Sequence, residues 1–492
     1  MVADRVDVLS RRAGSKAVHL WSSDAANFTV EPAPKDQAKA LARGTHVTLH
    51  LKKDAKEYLE TSRLEEIVRA YSDHVSFPIN LAVEKEGAEE LRQLNRASAL
   101  WMRPRREVDK EAYREFYRDA AGLFDAPALT IHYRAEGRHE YTVLLFVPTM
   151  RPFDLFDPSR KGRIKLYVKR VFITDDADIL PAYLRFVRGV IDSEDMPLNI
   201  SREMLQNNPI VAAIAKAVTS RILTELAKLT ETDAVKFGQV WEAFGSVLKE
   251  GLYEDPARRD QLFGIARFHS SMGDEPRTLA QYAADLRPNQ TAIHYLTGDS
   301  LEQLRASPQL EGFRARGIEV LLLDDPVDNF WVTTALGFDG KPFQSITQGE
   351  VDLSNIEPLE REKAEAGKGA ASSAILERIK QVLADEVEDV TASKRLVESP
   401  ACLVAPHGGP DRGMERILEL QSGSGRRRPI LEVNLSHPLV KALDGEGAAE
   451  QAIFEDLAWL LLDEARILEG RQPSDPAKFS ARLNRLVMAG LG

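Results

Sequence analysis

The chain has 492 residues, of which 43% are hydrophobic and 29% are charged, and its formal net charge is -11. At roughly 150 residues per domain, this length predicts about three globular domains with ample material for cores. The acidic balance argues against a general nucleic-acid binder, and no stretch approaches the ~18 apolar residues that a membrane span needs.

Cysteine and histidine usage bears on metals and compartment. The single cysteine, Cys402, excludes an internal disulfide and a cysteine-rich metal site, and it lies in the apolar run PACLVAP. The histidines are scattered without ligand spacing. We therefore predict a cytoplasmic protein without a metal site and without a membrane or nucleic-acid partner.

The N-terminal part has the pattern of a β-meander. Residues 1–53 contain four alternating segments, VADRVDVLS, AVHLWS, NFTVEP and GTHVTLHLK. Residues 54–73 have the spacing of one amphipathic helix, with Asp54 as its N-cap. Because the alternation starts almost at the first residue, we expect a chain that begins inside a sheet. The charged stretch that follows predicts a linker over residues 83–97.

Mixed strands and helices follow. VDKEAYREFYRDAAG predicts a helix, and LTIHYRAE, HEYTVLLFVP and GRIKLYVKRVFITDD predict strands. PAYLRFVRGVID is interpreted as a helix with Pro181 at its first position. A long amphipathic helix is predicted from Pro209 to about Leu229, with further helices through residues 233–307 and a strand in RGIEVLLLDD. This order indicates an α/β or α+β domain in two parts.

The C-terminal part predicts a helix near 373–387, strands in DVTASKRL, ACLVAP and LEVNLSHPLV, and helices over 449–469 and 476–489. The segment FEDLAWLLLDEARILE carries more apolar area than one amphipathic face normally buries. We therefore predict a helical interface between subunits here.

A short polar turn in DSEDMPLNISREMLQNNP presents Arg202 and Gln206 from one face, four residues apart. Asn199 or Ser201 can cap the turn, which leaves free N–H groups and a cation at the positive end of a helix dipole. Such a turn suits an anion. The alternative is a surface ion pair of Arg202 with a neighbouring carboxylate, which contributes little.

Longer stretches carry a resemblance to a known family. GRIKLYVKRVFITDDADILPAYLRFVRGVIDSEDMPLNISREMLQ strongly resembles the middle domain of the heat shock protein 90 chaperones, in their bacterial form. LWMRP, HEYTVLLFVPTMRPFDLF, RGIEVLLLDD, FDGKPFQS, SPACLV, LEVNLSHPLV and LLLDEARILEG match in the right order. The resemblance covers essentially the whole chain.

The resemblance implies a multidomain α/β and α+β fold. It implies the C-terminal remnant of a GHKL-type ATP-binding domain over 1–82 and a linker over 83–97. It further implies an α/β/α middle domain of the ribosomal protein S5 domain 2-like type over 98–348, a linker over 349–372 and an α+β dimerisation domain over 373–492. The chain then starts after most of the nucleotide pocket.

The resemblance also assigns residues. Arg202 would reach the γ-phosphate of ATP with Gln206 in support. Gly44 and Thr45 match a Gly-Thr whose hydroxyl helps to hold the adenine-binding Asp and a water molecule. Trp101 and Phe153 match aromatic residues that resemble exposed client or interdomain contacts, with ordinary packing as the alternative. Met414, in DRGMERIL, lies where the family has an amphipathic helix that touches clients, and we expect the preceding HGGPDRG to weaken that helix. Leu457, Leu461 and Ile467 are the candidate dimer-interface positions.

The implied function is an ATP-dependent, homodimeric chaperone that helps partly folded clients in the stress response, with an Hsp70-type co-chaperone system as a partner. ATP with Mg²⁺ is the implied cofactor of the intact family protein, although this chain is expected to bind it weakly. The alternative is a truncated dimer that holds clients without ATPase activity. A DNA topoisomerase or mismatch-repair relative is a more distant alternative, disfavoured by the acidic balance.

Overall fold

A computed structural model describes residues 2–85, 88–157, 163–175, 179–197, 208–349, 351, 353, 355–359, 373–422, 427–443 and 451–491. Within these residues the chain is mixed α/β, with sheets of four, five, five, three and two strands. The general class agrees with the sequence-based prediction.

The first sheet contains the four predicted N-terminal strands, which are β1 (Ala3–Arg11), β2 (His19–Ser23), β3 (Phe28–Pro32) and β4 (Gly44–Leu51). Its order is β3-β2-β1-β4, with antiparallel pairs. The chain therefore returns to pair β4 with β1, after a short helix, Lys35–Ala40, that the sequence pattern did not predict.

One face of this sheet is apolar and solvent-exposed. Residues directly opposite each other share a face, and Val8 lies opposite both Trp21 and Val47. The exposed apolar residues of the sheet are Phe28, Val30, Val47 and Leu49. The other face is mixed: Asp7 accepts a hydrogen bond from the Ser22 hydroxyl at 2.7 Å, and Leu9, on the same face, is buried opposite Leu20.

The helix predicted over residues 54–73 is broken. A 3-10 segment, Lys53–Leu59, precedes an α-helix, Thr61–Tyr71, and Glu60 takes the N-cap position that was assigned to Asp54. The break lies at Glu60, whose backbone is extended, with φ -82° and ψ 130°.

The predicted linker over 83–97 is largely a β-hairpin, formed by β5 (Asn80–Lys85) and β6 (Ala88–Gln93). A buried amide fixes its base: Asn95 accepts from the backbone N–H of Ile79 at 2.9 Å and donates to the carbonyl of Phe77 at 3.0 Å. The charged composition concealed this hairpin, since charged side chains also occupy exposed strands.

The helix predicted in VDKEAYREFYRDAAG forms over Lys110–Ala121, and the Asp109 side chain caps it. It packs on a five-stranded sheet of order β10-β9-β11-β8-β7. The strands are β7 (Leu129–Ala135), β8 (Tyr141–Val147), β9 (Arg163–Val168), β10 (Val171–Thr174) and β11 (Arg188–Ser193).

The prediction of a helix in PAYLRFVRGVID is wrong. Only a 3-10 turn, Ala182–Leu184, forms there, and β11 is the central strand, antiparallel to β8 and parallel to β9. Every residue of β11 is buried. Its sequence, RGVIDS, includes the buried polar residues Arg188, Asp192 and Ser193, so it shows no alternation of apolar and polar residues from which a strand could be predicted.

Two long helices, Pro209–Thr232 and Ala234–Glu254, follow this sheet and are capped by Asn208 and Asp233. The first confirms the helix predicted from Pro209. A shorter helix, Arg259–Ile265, packs against both. Their shared core includes Ile222, Leu226, Val240 and Phe244.

A second five-stranded sheet has the order β13-β12-β15-β14-β16. Its strands are β12 (Phe268–Ser270), β13 (Gly273–Arg277), β14 (Ile293–Thr297), β15 (Leu321–Leu323) and β16 (Phe343–Ser345). Its helices are Leu279–Ala284, Leu301–Arg305, Glu311–Arg314 and Asp328–Thr334. The all-helical prediction for 233–307 therefore missed three strands.

The C-terminal part contains the predicted strands and helices, but the strand predicted over LEVNLSHPLV ends at Val433 and its last residues begin the helix Pro438–Leu443. A sheet of order β17-β19-β18 contains β17 (Asp389–Ala392), β18 (Ala401–Val404) and β19 (Ile430–Val433). The helices are Ala374–Leu383, Arg412–Ser422, Pro438–Leu443, Gln451–Leu468 and Pro476–Leu491. The predicted linker over 349–372 lies mostly outside the described residues, and the domain boundaries stay predictions.

Candidate protein-binding surface

The predicted phosphate-contacting residues, Arg202 and Gln206, lie outside the described residues. The structure describes the two ends of their segment. On one side Met196 is buried beyond the end of the central strand β11, and on the other Asn208 caps the long helix, accepting from the Ile210 backbone N–H at 2.8 Å. Both anchors of the segment are therefore firmly packed.

Trp101 is in the interior, with 1% of its surface exposed, so the prediction of an exposed client contact is wrong for this residue. Its indole N–H donates to Asp192 of β11 at 2.8 Å, and its ring lies 4.6 Å from that of His74. Burial raises the pKa of Asp192. A buried tryptophan needs a partner for its N–H, and this bond ties Trp101 to the strand that leads towards Arg202.

Phe153 has the opposite environment, since its side chain is fully exposed at 103%. Its loop is nonetheless anchored. Leu155 is completely buried, and its carbonyl accepts from Nε of Arg185 at 2.9 Å. Arg185 also binds Glu250 through two contacts of 2.5 and 2.8 Å. The loop thus turns one side chain inwards and presents Phe153 to solvent.

A single carboxylate joins this loop to a second one. Asp125 accepts from the backbone N–H of Thr149 at 2.8 Å, from its hydroxyl at 2.9 Å and from the backbone N–H of Met150 at 3.1 Å. Its other oxygen accepts from the hydroxyl of the buried Tyr117 at 2.7 Å. Burial opposes ionisation, but hydrogen bonds from Tyr117 and Thr149 lower the pKa of Asp125, so the carboxylate is charged at neutral pH.

The hydrogen bonds of Asp125 hold these two loops together, and the loops carry three exposed apolar residues. We call this region the apolar loop surface, which consists of Phe124, Met150 and Phe153. Phe124 is 94% exposed and Met150 is 62% exposed. Sequence reasoning singled out Phe153 only. The available signal for Phe124 was its place in a loop, two residues after Gly122, whose left-handed backbone ends the preceding helix.

Met414 lies on the helix Arg412–Ser422, which forms although the preceding HGGPDRG was expected to weaken it. Its backbone N–H donates to Asp411 at 2.9 Å, and the residue is half-buried. Arg412 holds the helix in place through Glu469, at 3.0 and 2.7 Å. A client contact of Met414 stays a prediction.

The candidate dimer residues differ in exposure. Leu461 is completely buried in the core of its own chain, so it is corrected from an interface position to a core position. Leu457 is half-buried against the same core, whereas Ile467 is 45% exposed. The last helix, Pro476–Leu491, exposes apolar residues at the i, i+4 and i+5 positions, which are Leu483, Val487 and Met488.

Gly44 and Thr45 begin strand β4, where both are exposed and Thr45 pairs with Ser10. A single exposed hydroxyl does not make a nucleotide pocket, so these two residues fit ATP only as part of a larger site. Among the described residues, no group of three or more acidic, histidine or cysteine side chains suits a metal ion. No described helix is long and apolar enough to cross a membrane.

Comparison with known proteins gives a consistent result. Residues 85–492 match the family described as Hsp90 protein. The chain is 55% identical over its whole length to Chaperone protein HtpG of Rhodopseudomonas palustris (strain BisB18), covering 78% of that relative. It is 54% identical, again over its whole length, to Chaperone protein HtpG of Nitrobacter hamburgensis, covering 77%, and to that of Mesorhizobium japonicum, covering 78%.

A family match over most of the chain, together with identity above half to relatives that it covers by more than three quarters, settles the affiliation. The chain belongs to the heat shock protein 90 family.

Proposed function

We propose that the chain acts as an ATP-dependent molecular chaperone that binds partly folded proteins through the apolar loop surface. The observation that carries the proposal is the fully exposed Phe153 on an anchored loop. Family membership and the printed name of the relatives, Chaperone protein HtpG, support the chaperone class.

The physics of the surface suits this task. Partly folded proteins differ from folded ones in exposing apolar side chains, and clustered exposed apolar residues often mark interaction sites. Asp125 and Arg185 already hold the two loops in place. The binding of a client therefore loses little conformational entropy in these loops. Contacts by a few aromatic and methionine side chains impose little sequence requirement, which suits varied clients.

For the nucleotide step we propose that Arg202 neutralises charge on the γ-phosphate and that Gln206 supports it. An arginine supplied from outside a nucleotide pocket can accelerate phosphoryl transfer by roughly 10³-fold or more. A homodimer formed by the C-terminal helices would present two client surfaces, which raises the effective concentration of binding sites.

A second candidate is an ATP-independent client-binding dimer. The exposed position of Gly44 and Thr45 in strand β4 favours it, because exposed residues by themselves do not bind a nucleotide tightly. Titration of the 492-residue chain with Mg-ATP separates the two. We expect affinity no better than millimolar under the second candidate, whereas micromolar affinity with turnover that falls in Arg202→Ala supports the first.

Suppression of aggregation tests the client-binding proposal. Phe153→Ser and Phe124→Ser should each weaken the ability of the chain to keep a thermally unfolded protein in solution, and the double variant should weaken it further. Leu336→Ser is a matched control, since Leu336 is 96% exposed but lies elsewhere on the chain. If all these variants protect as well as the parent chain, the proposed surface is wrong.

A further inference from the structure

A cavity lies at one edge of the second five-stranded sheet. Strand β14 runs parallel to both of its neighbours, β15 and β16. Strand β15 lies on one side of β14, and β16 lies on the other. The connection that follows β14 and the connection that follows β15 therefore run in opposite directions across the sheet, which leaves a crevice between them. In open α/β sheets, ligands bind in such a crevice at the carboxyl ends of the strands. Thr297, Gly298 and Asp324 lie at these ends and line the cavity.

The C-terminal part of the chain closes the crevice. Arg412, Gly413 and Arg416 of one helix line its far side, together with Glu469 and Arg471, which follow the helix Gln451–Leu468. The enclosed volume is about 360 Å³, which is within the range of small-molecule sites.

The guanidinium groups in this wall already have partners. Arg412 binds Glu469 at 3.0 and 2.7 Å and Glu415 at 2.8 Å. Arg471 binds Glu419 at 3.0 Å. Arg416 pairs with Asp299 across the crevice. The arginines therefore form part of the cavity wall. Because their guanidinium groups are already paired with carboxylates, they offer few free donors to an anion.

Two acceptors in the same cavity lack partners. The side-chain oxygen of Asn329 is buried, and it has no hydrogen-bond partner within the described part of the chain. The Asp324 carboxylate is half-buried, and it forms no hydrogen bond or ion pair with any residue that the structure describes. A buried acceptor without a donor is costly, so a ligand that donates a hydrogen bond to Asn329 would relieve this cost, and Asp324 offers the same ligand a free carboxylate.

The unpaired carboxylate gives the sign of the ligand. Three carboxylates and three guanidinium groups line the cavity: Asp299, Asp324 and Glu469, and Arg412, Arg416 and Arg471. Each of these guanidinium groups is already paired with a carboxylate, whereas Asp324 forms no ion pair within the described residues. An unpaired carboxylate in a partly enclosed site favours a cation. A cavity of about 360 Å³ is much larger than a metal ion.

We propose that this cavity binds a small organic cation with an amine group, which donates to Asp324 and to the Asn329 side-chain oxygen. Its walls come from both the second sheet and the C-terminal part of the chain. A bound amine therefore stabilises the contact between these two parts, because it binds only when they are together.

Calorimetric titration of the whole chain with putrescine tests the proposal, at about 0.15 M salt to screen diffuse binding to the acidic surface. We expect one site per chain, no heat with the uncharged 1,4-butanediol, and a rise in the unfolding temperature. Asp324→Asn should weaken putrescine binding about tenfold. Asp260→Asn is the matched control, since Asp260 is an exposed carboxylate away from the cavity, and it should bind as the parent does.

Three results would overturn the proposal. The first is no heat with putrescine up to about 10 mM, a concentration at which even a weak site of millimolar Kd is mostly filled. The second is equal affinity in Asp324→Asn and in the parent chain, which would put the cation elsewhere. The third is several weak sites that disappear at higher salt, as expected for diffuse attraction.

Discussion

The carboxylate of Asp125 accepts two hydrogen bonds from Thr149, one from its backbone N–H at 2.8 Å and one from its hydroxyl at 2.9 Å. One side chain thereby fixes the loop that carries Phe124 against the loop that carries Phe153. The apolar loop surface thus depends on a polar residue beneath it.

Removal of the Asp125 carboxylate should loosen the apolar loop surface. Asp125→Ala leaves the N–H groups of Thr149 and Met150 without their acceptor, so the free energy of unfolding should fall by about 1–3 kcal/mol. Urea unfolding measures the loss, and limited proteolysis should show faster cleavage between residues 149 and 157. Asp119→Ala removes an exposed carboxylate that pairs with Arg96 at 3.1 Å, and it should change little. Equal stability of the two variants would contradict the role of Asp125.

Gly189 has a conformation and a neighbour that leave no room for a side chain. Its φ is +133°, and an added Cβ would lie 2.1 Å from the carbonyl oxygen of Leu144. We expect Gly189→Ala to lower the free energy of unfolding by several kcal/mol or to prevent folding. Gly137→Ala separates the two causes, because Gly137 has a φ of +151° but no atom near its Cβ position; it should lose about 1 kcal/mol. Similar losses would show that the contact with Leu144 is unimportant.

The strand around Gly189 was predicted as a helix, and the reason shows which elements are hard to predict from sequence. Alternating strands such as β1 and β4, and long periodic helices such as Pro209–Thr232, were predicted because one face of each is buried. The strand β11 is buried on both faces although it contains Arg188, Asp192 and Ser193, so its sequence has no period of two that would distinguish it from a helix. The hairpin over β5 and β6 was missed because its charged composition resembles that of a linker.

His294 makes stability depend on pH. It is buried in β14 beside the ring of Phe313, and burial lowers its pKa to about 4. The unfolded chain, with a histidine pKa near 6.5, binds a proton between pH 4 and 6.5 that the folded chain does not. The free energy of unfolding should therefore fall as pH drops below 6.5, by about 1.4 kcal/mol per pH unit for this group.

Urea unfolding at pH 7.5 and 5.5 checks this contribution by comparing the parent chain with His294→Leu. The variant should lose about 1.4 kcal/mol less than the parent between the two conditions. An identical pH dependence would mean that His294 has the same pKa in the folded chain as in the unfolded chain.

The C-terminal helices carry the dimer prediction. We expect Val487→Glu to convert a dimer into monomers at micromolar concentration, because it places a charge in the exposed apolar stripe of the helix Pro476–Leu491. Val487 is 51% exposed, so the fold itself should be unaffected. Light scattering gives the mass, and circular dichroism checks the fold. Val235→Glu is the control, at a 76% exposed valine of another helix.

Three outcomes count against this assignment: a parent chain that is already monomeric, a Val487→Glu variant that still dimerises, or a Val235→Glu variant that dissociates equally. Leu461 would be a poor probe. It is buried in its own chain, so its substitution would disturb the core as well as any interface.

The candidate site was only partly accessible from sequence. The role of Arg202 comes from the family resemblance, since a short polar turn fits a surface ion pair as well. Phe153 and Trp101 both stood out as aromatic residues in matched motifs, but burial separates them, and burial depends on packing across the sheet. Phe124 could not be linked to Phe153, because the contact runs through Asp125 and spans 24 residues of sequence.

Site-specific photocrosslinking tests whether the apolar loop surface binds unfolded proteins. A benzophenone-bearing residue would replace Phe153 in one variant and Leu336 in another, since both side chains are almost completely exposed. Each variant is irradiated with a reduced, permanently unfolded protein and, separately, with the same protein in its folded form. If clients bind through Phe153, we expect strong crosslinks from position 153 to the unfolded protein only, and weak ones from position 336. Equal crosslinking from both positions, or none from position 153, would contradict client binding through Phe153.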